Sequence, residues 1–179
     1  MFSRIIKEGD FVLSSGAKSR YNYDYSQLSD TMNEAYCSLL KQKLDVWQSE
    51  HGKFDVIIGC ETEGIRIGYV LSKLINLPFY IMPKKSTDYS EVVIPAYSVD
   101  THWLIVDDIV TTGSTYIKAV DFLDIEEKPE SITFACMIKR NTENMDYSAV
   151  HGDPDKEQLH VRDERFGFID KRLVALHSE

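Results

Sequence analysis

Two adjacent carboxylates, Asp107 and Asp108, precede a run of small, mostly hydroxylated residues at positions 111–115. A turn of Thr, Gly and Ser at the start of a helix presents unpaired backbone N–H groups and the positive end of the helix dipole, so it can hold a phosphate. Carboxylates beside such a turn can bind hydroxyl groups or a metal ion. The pattern therefore predicts one ligand that carries both a phosphate and a hydroxylated or metal-bound part.

The residues that flank this motif predict the elements that position it. Residues 103–106 are apolar, which suits a strand buried on both faces of a sheet. The acid pair falls where that strand is expected to end, and a helical apolar pattern follows at Ile117, Val120, Phe122 and Leu123. The alternative is that the acids are solvated strand-end residues and the threonines an ordinary helix cap. A nucleoside-triphosphatase site would need a G-x-x-x-x-G-K-[ST] loop, and the sequence has none.

Length, charge and cysteine content restrict the class of protein. The 179 residues suffice for one well-buried domain, and we find no internal domain boundary within 1–179. A formal net charge of −9 disfavours nucleic acid and anionic membranes as partners. With no apolar stretch near the roughly 18 residues that span a bilayer and no signal-peptide pattern, a cytoplasmic location is expected. The three separated cysteines predict small buried residues in a reducing compartment.

The remaining apolar segments predict an α/β fold. Strands are expected at about 54–59, 79–82, 102–107 and 131–138, separated by helical patterns, of which 26–51 is the clearest. Repeated β-α-β units imply a parallel sheet with helices on both faces. Residues 1–25 predict a small extended or hairpin segment before this core, and the tail from Leu159 predicts short strands or a final helix.

Polar residues follow the predicted carboxyl ends of several strands, which is where such sheets bind ligands. We therefore expect one crevice to contain Glu61, Lys84, Asp107, Asp108, the 111–115 loop and Arg140. Lys84 and Lys85 belong to a polar loop at 83–97 that is expected to be mobile and to close over the site. A solvated basic turn is the alternative for this loop.

Three segments carry a family resemblance. Residues 103–115, with four apolar residues, Asp-Asp, two apolar residues and Thr-Thr-Gly-Ser-Thr, resemble the phosphoribosyl-pyrophosphate motif of type I phosphoribosyltransferases. The order F-x-L-x-S-G-x-x-S-x-Y-x-x-D at 11–24 resembles the N-terminal hood of orotate phosphoribosyltransferases. The order G-x-E-x-x-G-x-x-x-G at 59–68 is similar to the adenine-specific branch, with Glu63 in place of its arginine. Ser14, Thr87 and Tyr89 depart from the orotate pattern.

The resemblance implies a Mg²⁺-dependent pentosyltransferase that moves the phosphoribosyl group of phosphoribosyl pyrophosphate to a nucleobase. Asp107 and Asp108 would bind the ribose hydroxyls, directly or through Mg²⁺, Lys84 and Lys85 would meet pyrophosphate, and Arg140 would meet a base carboxylate. The residues implied to bind the phosphate groups of the substrate are Thr111, Thr112, Gly113, Ser114 and Thr115 for the 5-phosphate, and Cys60, Glu61, Thr62, Glu63 and Gly64 for pyrophosphate.

The identity of the base is left open by these features. The hood and Arg140 favour orotate or a related pyrimidine, which we rank first. The E-x-x-G loop, Ser14 and the altered 83–97 loop favour a purine. A protein of this fold that senses phosphoribosyl pyrophosphate without turning it over is a further alternative. The resemblance also implies a homodimer, with a hood at 1–25, a core at 26–140 and a C-terminal extension at 141–179.

Overall fold

A five-stranded parallel sheet forms the centre of the described chain. The computed structural model describes residues 5–13, 18–83, 101–111, 115, 119, 131–140, 162–163, 167–168 and 173–178. In spatial order the strands are β4 (Phe79–Met82), β3 (Val56–Cys60), β5 (His102–Val110), β6 (Ser131–Lys139) and β9 (Leu173–Ser178). All neighbouring pairs are parallel, so the predicted sheet is confirmed.

The central strand β5 is longer than the sequence predicts. Its expected end at residue 107 is wrong, because pairing with β6 continues through Ile109 opposite Ile138 and Val110 opposite Lys139. Asp107 and Asp108 therefore lie within the last part of a hydrogen-bonded strand. Backbone pairing on this side restrains the positions of both acids.

Two helices cover one face of the sheet. Helix α1 (Asp30–His51) begins after Ser29, whose side chain accepts a hydrogen bond from the backbone N–H of Met32, and it ends at Gly52 with φ +99°. Helix α2 (Glu63–Ile75) ends at Asn76 in the left-handed conformation. Apolar side chains of both helices pack on Ile57, Leu104 and other buried residues of the sheet.

The opposite face of the sheet has its own apolar cluster. Val56, Ile58, Trp103 and Ile105 belong to this cluster, alternating along their strands with residues of the first face. Ala119, which has helical backbone conformation, is fully buried within it. The expectation of helical structure on both faces is therefore confirmed.

An antiparallel hairpin precedes the core, as the sequence predicts. Strand β1 (Ile6–Val12) pairs with β2 (Lys18–Tyr23), and a short 3₁₀ turn follows at Tyr25–Gln27. The base of the hairpin is anchored by Tyr25, which is 1% exposed and donates a hydrogen bond to Asn33 Oδ1 of α1 at 2.9 Å. The hairpin is thus fixed to the first helix at one end.

The C-terminal tail supplies strands, in agreement with one of the two expectations for it. Strand β9 pairs with β6, while the two-residue strands β7 (Arg162–Asp163) and β8 (Gly167–Phe168) pair with each other. Lys43 of α1 donates hydrogen bonds from Nζ to the carbonyl oxygens of Ala175 and Leu176 at 2.8 and 3.0 Å. Within the described ranges, no helix combines the length and apolar character needed to cross a membrane.

The first turn of α2 lies directly on the sheet because of Gly64. A Cβ atom at Gly64 would lie 2.5 Å from the carbonyl oxygen of Val106 and 3.1 Å from the Cα of Asp107. Real Cβ atoms do not approach backbone so closely, so only glycine permits this contact. The contact brings the residues before α2 next to the acid pair.

Gly64→Ala tests this packing. We expect the variant to lose about 1–3 kcal/mol of unfolding free energy, because either α2 or β5 must shift to admit a methyl group. Lys73→Ala on the exposed side of the same helix is the matched control and should change the free energy by less than about 0.5 kcal/mol. Chemical denaturation followed by circular dichroism measures both. Equal stabilities of the Gly64→Ala variant and the wild type would contradict the close approach.

Candidate active site

A cleft of about 420 Å³ lies between the carboxyl ends of the central strands and the hairpin. Its walls are formed by three parts of the chain that are distant in sequence: the hairpin, the segment between β3 and α2, and the ends of β5 and β6. The lining residues are Phe11, Val12, Leu13, Asn22, Tyr23, Glu61, Thr62, Glu63, Asp107, Asp108, Ile109, Thr111, Thr115 and Arg140.

The acid pair forms one wall of the cleft. Asp107 is 7% exposed and Asp108 is half-buried. Asp107 Oδ1 accepts a hydrogen bond from the backbone N–H of Asp108 at 2.9 Å, and Asp108 Oδ1 accepts one from Ile109 N–H at 2.9 Å. Burial raises the pKa of Asp107 well above its ordinary value, and the neighbouring Asp108 charge raises it further. A hydrogen bond with the Thr115 side chain lowers the pKa of Asp107 and so opposes these two effects.

The predicted phosphate loop borders the same wall at its two described ends. Thr111 and Thr115 both line the cleft, and Thr115 has helical backbone conformation. A residue in helical conformation therefore lies beside the acid pair. Thr112, Gly113 and Ser114 lie outside the described residues, as do Lys84, Lys85 and the rest of the 83–97 loop after Pro83.

Glu61 and Thr62, which connect β3 to α2, line the cleft together with Glu63, the first residue of α2. The Glu61–Thr62 peptide bond is cis. Burial raises the pKa of Glu63, with a further contribution from the charge of Asp108, while Arg66 lowers it. Glu63 Oε2 lies 3.8 Å from Arg66 Nη1. The carboxylate that replaces the expected arginine thus faces the acid pair and is only partly offset by a neighbouring cation.

Sequence reasoning missed Arg66. Its Nη2 donates hydrogen bonds to the carbonyl oxygen of Leu28 at 2.7 Å and to Asp30 Oδ1 at 2.8 Å. It therefore connects the first turns of α1 and α2 and stands beside Glu63. The spacing of three residues between Glu63 and Arg66 on a helix was the available signal.

Cys60 and Gly64 are not among the residues that line the cleft. Cys60 is fully buried as the last residue of β3, in the apolar cluster on the second face of the sheet. Burial raises the pKa of its thiol well above the ordinary value, with smaller contributions from the charges of Asp107 and Asp108. Gly64 is buried against Val106. The structure gives these two residues packing contacts.

Arg140 also lines the cleft, directly after β6. It is 4% exposed, it donates a hydrogen bond from Nη2 to the carbonyl oxygen of Tyr21, and its guanidinium carbon lies 4.7 Å from the centroid of the Tyr23 ring. The prediction that Arg140 belongs to the same crevice as the acids agrees with its place in the cleft wall. Its contacts with the hairpin were not predicted.

The carboxylate oxygen atoms in the cleft suit a hard cation that is also coordinated by a substrate. Among the described residues, no three His, Cys, Asp or Glu side chains are grouped closely enough to hold a metal ion alone. Mg²⁺ typically binds through one or two carboxylates together with substrate phosphates, and does not require an all-protein cage. The oxygen atoms of Asp107 and Asp108 therefore fit Mg²⁺ in the presence of a phosphorylated ligand.

Comparison with known proteins places the chain in a family. Residues 25–159 match the phosphoribosyl transferase domain, so the chain belongs to the phosphoribosyl transferase domain family. It is 30% identical over 125 residues to the orotate phosphoribosyltransferase of Sulfurisphaera tokodaii, covering 69% of this chain and 63% of that protein. It is 30% identical over 124 residues to the orotate phosphoribosyltransferase of Pyrobaculum calidifontis, covering 65% of this chain and 60% of that protein. The matches thus span somewhat less than two thirds of these relatives.

Solved structures show the same fold. The orotate phosphoribosyltransferase from Aeropyrum pernix superposes with a TM-score of 0.64 at 21% identity, covering 98% of this chain and 88% of that chain. The adenine phosphoribosyltransferase from Saccharomyces cerevisiae superposes with a TM-score of 0.59 at 17% identity, covering 77% of this chain and 85% of that chain. The α/β fold with a central parallel sheet is therefore that of the type I phosphoribosyltransferases.

Asp107→Asn tests the environment of the buried carboxyl. Because its pKa is raised on folding, Asp107 makes its full contribution to stability when it is protonated, and this contribution is lost as pH rises through the raised pKa. Asparagine avoids this loss and keeps the acceptor for the Asp108 N–H. We expect the variant to melt a few degrees above the wild type near about pH 8, with the difference vanishing near about pH 4.

Thermal melts across this pH range measure the effect, with Asp45→Asn on the exposed face of α1 as the control. The Asp45→Asn difference should stay small throughout. A melting difference for Asp107→Asn that does not change with pH would contradict the raised pKa.

Proposed function

We propose that the protein transfers the phosphoribosyl group of phosphoribosyl pyrophosphate to a nucleobase and releases pyrophosphate. Orotate or a related pyrimidine is the first choice of acceptor. The observation that carries the proposal is one cleft that contains the acid pair, both described ends of the 111–115 segment and the residues before α2. Membership of the phosphoribosyl transferase domain family and the similarity to orotate phosphoribosyltransferases support it.

The 5-phosphate would bind at the 111–115 segment. Thr115 and Ala119 have helical backbone conformation, and a helix that begins near this segment would offer backbone N–H groups and a positive dipole end to an anion. Thr111, Thr112, Gly113, Ser114 and Thr115 would supply the remaining donors. The acidic net charge of the chain makes such local donors necessary, since the protein's general field repels phosphate.

Asp107 and Asp108 would hold the ribose and stabilise the transition state. As the bond from the sugar C1 to pyrophosphate breaks, positive charge develops on the sugar ring, and preorganised carboxylates lower its energy. Both carboxylates are oriented by backbone N–H groups of β5, so little rearrangement is needed. Asp108 is the more exposed of the two and would make the closer contact with the ribose hydroxyls.

Pyrophosphate would leave toward Glu61, Thr62 and Glu63. Mg²⁺, held by Asp107 and Asp108 with substrate oxygens, would supply charge neutralisation when bound. Lys84 and Lys85 are proposed to add positive charge at this end of the cleft. The hairpin above the cleft would limit the access of water to the electron-deficient sugar.

Two other functions of the same cleft are kept as alternatives. A purine as acceptor is favoured by the adenine-like loop that supplies Glu61 and Glu63. Arg140 argues for an anionic base such as orotate instead. Sensing of phosphoribosyl pyrophosphate without turnover is favoured by Glu63, whose charge opposes tight pyrophosphate binding. A homodimer in the cytoplasm, with no nucleic-acid or membrane partner, is proposed for all three.

Pyrophosphate release separates these functions. The protein is incubated with phosphoribosyl pyrophosphate, Mg²⁺ and each of orotate, uracil, adenine, hypoxanthine and guanine. We expect orotate to give the highest rate and Asp108→Asn to lower kcat by about 10²–10³-fold, since a charge that stabilises the transition state is lost. Asp45→Asn should leave the rate unchanged. Full activity of the Asp107→Asn, Asp108→Asn double variant would refute the assigned roles, and binding without release for every base would favour a sensor.

Glu63→Gln tests the effect of the acidic residue at the start of α2. Removing a negative charge that faces the pyrophosphate should lower KM for phosphoribosyl pyrophosphate by about 3- to 10-fold, the effect of one nearby charge near a protein surface. Because the pKa of Glu63 is raised, the wild-type KM should increase as pH rises and Glu63 ionises, and the variant should lack this increase. Glu34→Gln on the exposed face of α1 is the control. A higher KM in Glu63→Gln would show that Glu63 binds substrate or metal.

A further inference from the structure

Arg140 connects the sheet to the hairpin. Its backbone N–H donates to Val110 O at 2.8 Å, which fixes the residue at the carboxyl end of the sheet. Its guanidinium donates to Tyr21 O and lies over the ring of Tyr23, so both contacts go to β2. The two partners are more than a hundred residues from Arg140 in the sequence, with a separation of 119 for Tyr21. One side chain thus joins the two sides of the cleft.

The surroundings of Arg140 make these contacts strong. The residue is 4% exposed, so its hydrogen bond and its cation–π contact are shielded from water. A hydrogen bond from a charged donor contributes more than a neutral one, and a desolvated cation over an aromatic ring adds to it. The Arg20–Glu8 ion pair within the hairpin is different, because both of its side chains are largely exposed, at 74% and 60%. Arg140 is therefore the stronger candidate for holding the hairpin in place.

Arg140 also belongs to the residues that line the space for a ligand. Arg140, Tyr23 and Asn22 line the cleft together with the acid pair. A guanidinium carries five N–H donors in a planar fork, so donation to Tyr21 O is compatible with donation to a carboxylate. An anionic ligand that orients this fork would also favour its contacts with β2.

We propose that Arg140 is a positioning residue that couples binding of an anionic base to docking of the hairpin over the cleft. This inference rests on the proposed phosphoribosyl transfer for the identity of the ligand. Thermodynamic linkage requires the effect to be reciprocal. Binding of the base carboxylate increases the docking equilibrium of the hairpin by a certain factor, and docking of the hairpin increases the affinity for the carboxylate by the same factor.

Hydrogen exchange of the β2 amides at 18–23 tests the proposal. The probes are orotidine 5′-monophosphate and uridine 5′-monophosphate, which differ only in the base carboxylate. In the wild type, the orotidine nucleotide should slow β2 exchange about fivefold or more beyond the uridine nucleotide. In Arg140→Gln without ligand, β2 exchange should be about 10- to 100-fold faster, while exchange in α2 is unchanged. The difference between the two nucleotides should disappear in this variant.

Three further variants keep the test valid if Arg140→Gln folds poorly. Tyr23→Leu removes the ring and should speed β2 exchange, whereas Tyr23→Phe keeps the ring and should not. Arg20→Gln, on the exposed side of the same strand, should leave the effect of the carboxylate intact. Equal protection of wild-type β2 by the two nucleotides, or wild-type exchange in ligand-free Arg140→Gln, would overturn the proposal.

Pyrophosphate release by the same wild-type sample separates this outcome from failure of the proposed function. If the protein releases pyrophosphate but its β2 amides exchange at the same rate with both nucleotides, the coupling alone is overturned. A protein that shows the coupling but releases no pyrophosphate would overturn the proposed reaction alone.

Discussion

The parallel register of β3, β5 and β6 is the constraint on which the cleft depends. Gly59 pairs with Val106, and Val106 pairs with Ala135, so all three strands approach the same edge of the sheet together. This register brings the segment after Cys60, the acid pair and Arg140 to one place although the sequence separates them widely. A slip of one residue in β5 would turn Asp107 toward the opposite face of the sheet.

The same register makes the site electrostatically unfavourable in the absence of a ligand. Asp107 is buried beside Asp108, Glu63 faces the pair from the start of α2, and Glu61 also lines the cleft, so four acidic residues share it. Apolar clusters on both faces of the sheet and the contact of Gly64 with Val106 hold the backbone in place despite this repulsion. A ligand that brings cations, or that develops positive charge, relieves it. The stability of the sheet therefore permits a concentration of negative charge that a bound cation would relieve.

Sequence reasoning recovered the strands and helices among the described residues because apolar runs are local signals, although it began the first helix at residue 26 and the structure begins it at Asp30. It misplaced the end of β5 because acidic residues resemble a strand end, whereas pairing with β6 is a distant contact. Cys60 could have been placed, since it continues the alternation of Val56 and Ile58 on one face. The contacts of Arg140 with Tyr21 and of Arg66 with Leu28 depend on the packing of separate elements, so no local pattern predicts them.

Calorimetric titration with phosphoribosyl pyrophosphate in the presence of Mg²⁺ tests the central claim most directly, because it measures ligand binding without requiring an acceptor base. The arrangement of the acids, Thr111, Thr115 and the hairpin around one cleft predicts one site per chain. Ribose 5-phosphate should compete for that site, and the Asp107→Asn, Asp108→Asn double variant should bind much more weakly. Absence of binding to the folded wild-type protein, or undiminished binding to the double variant, would contradict the claim.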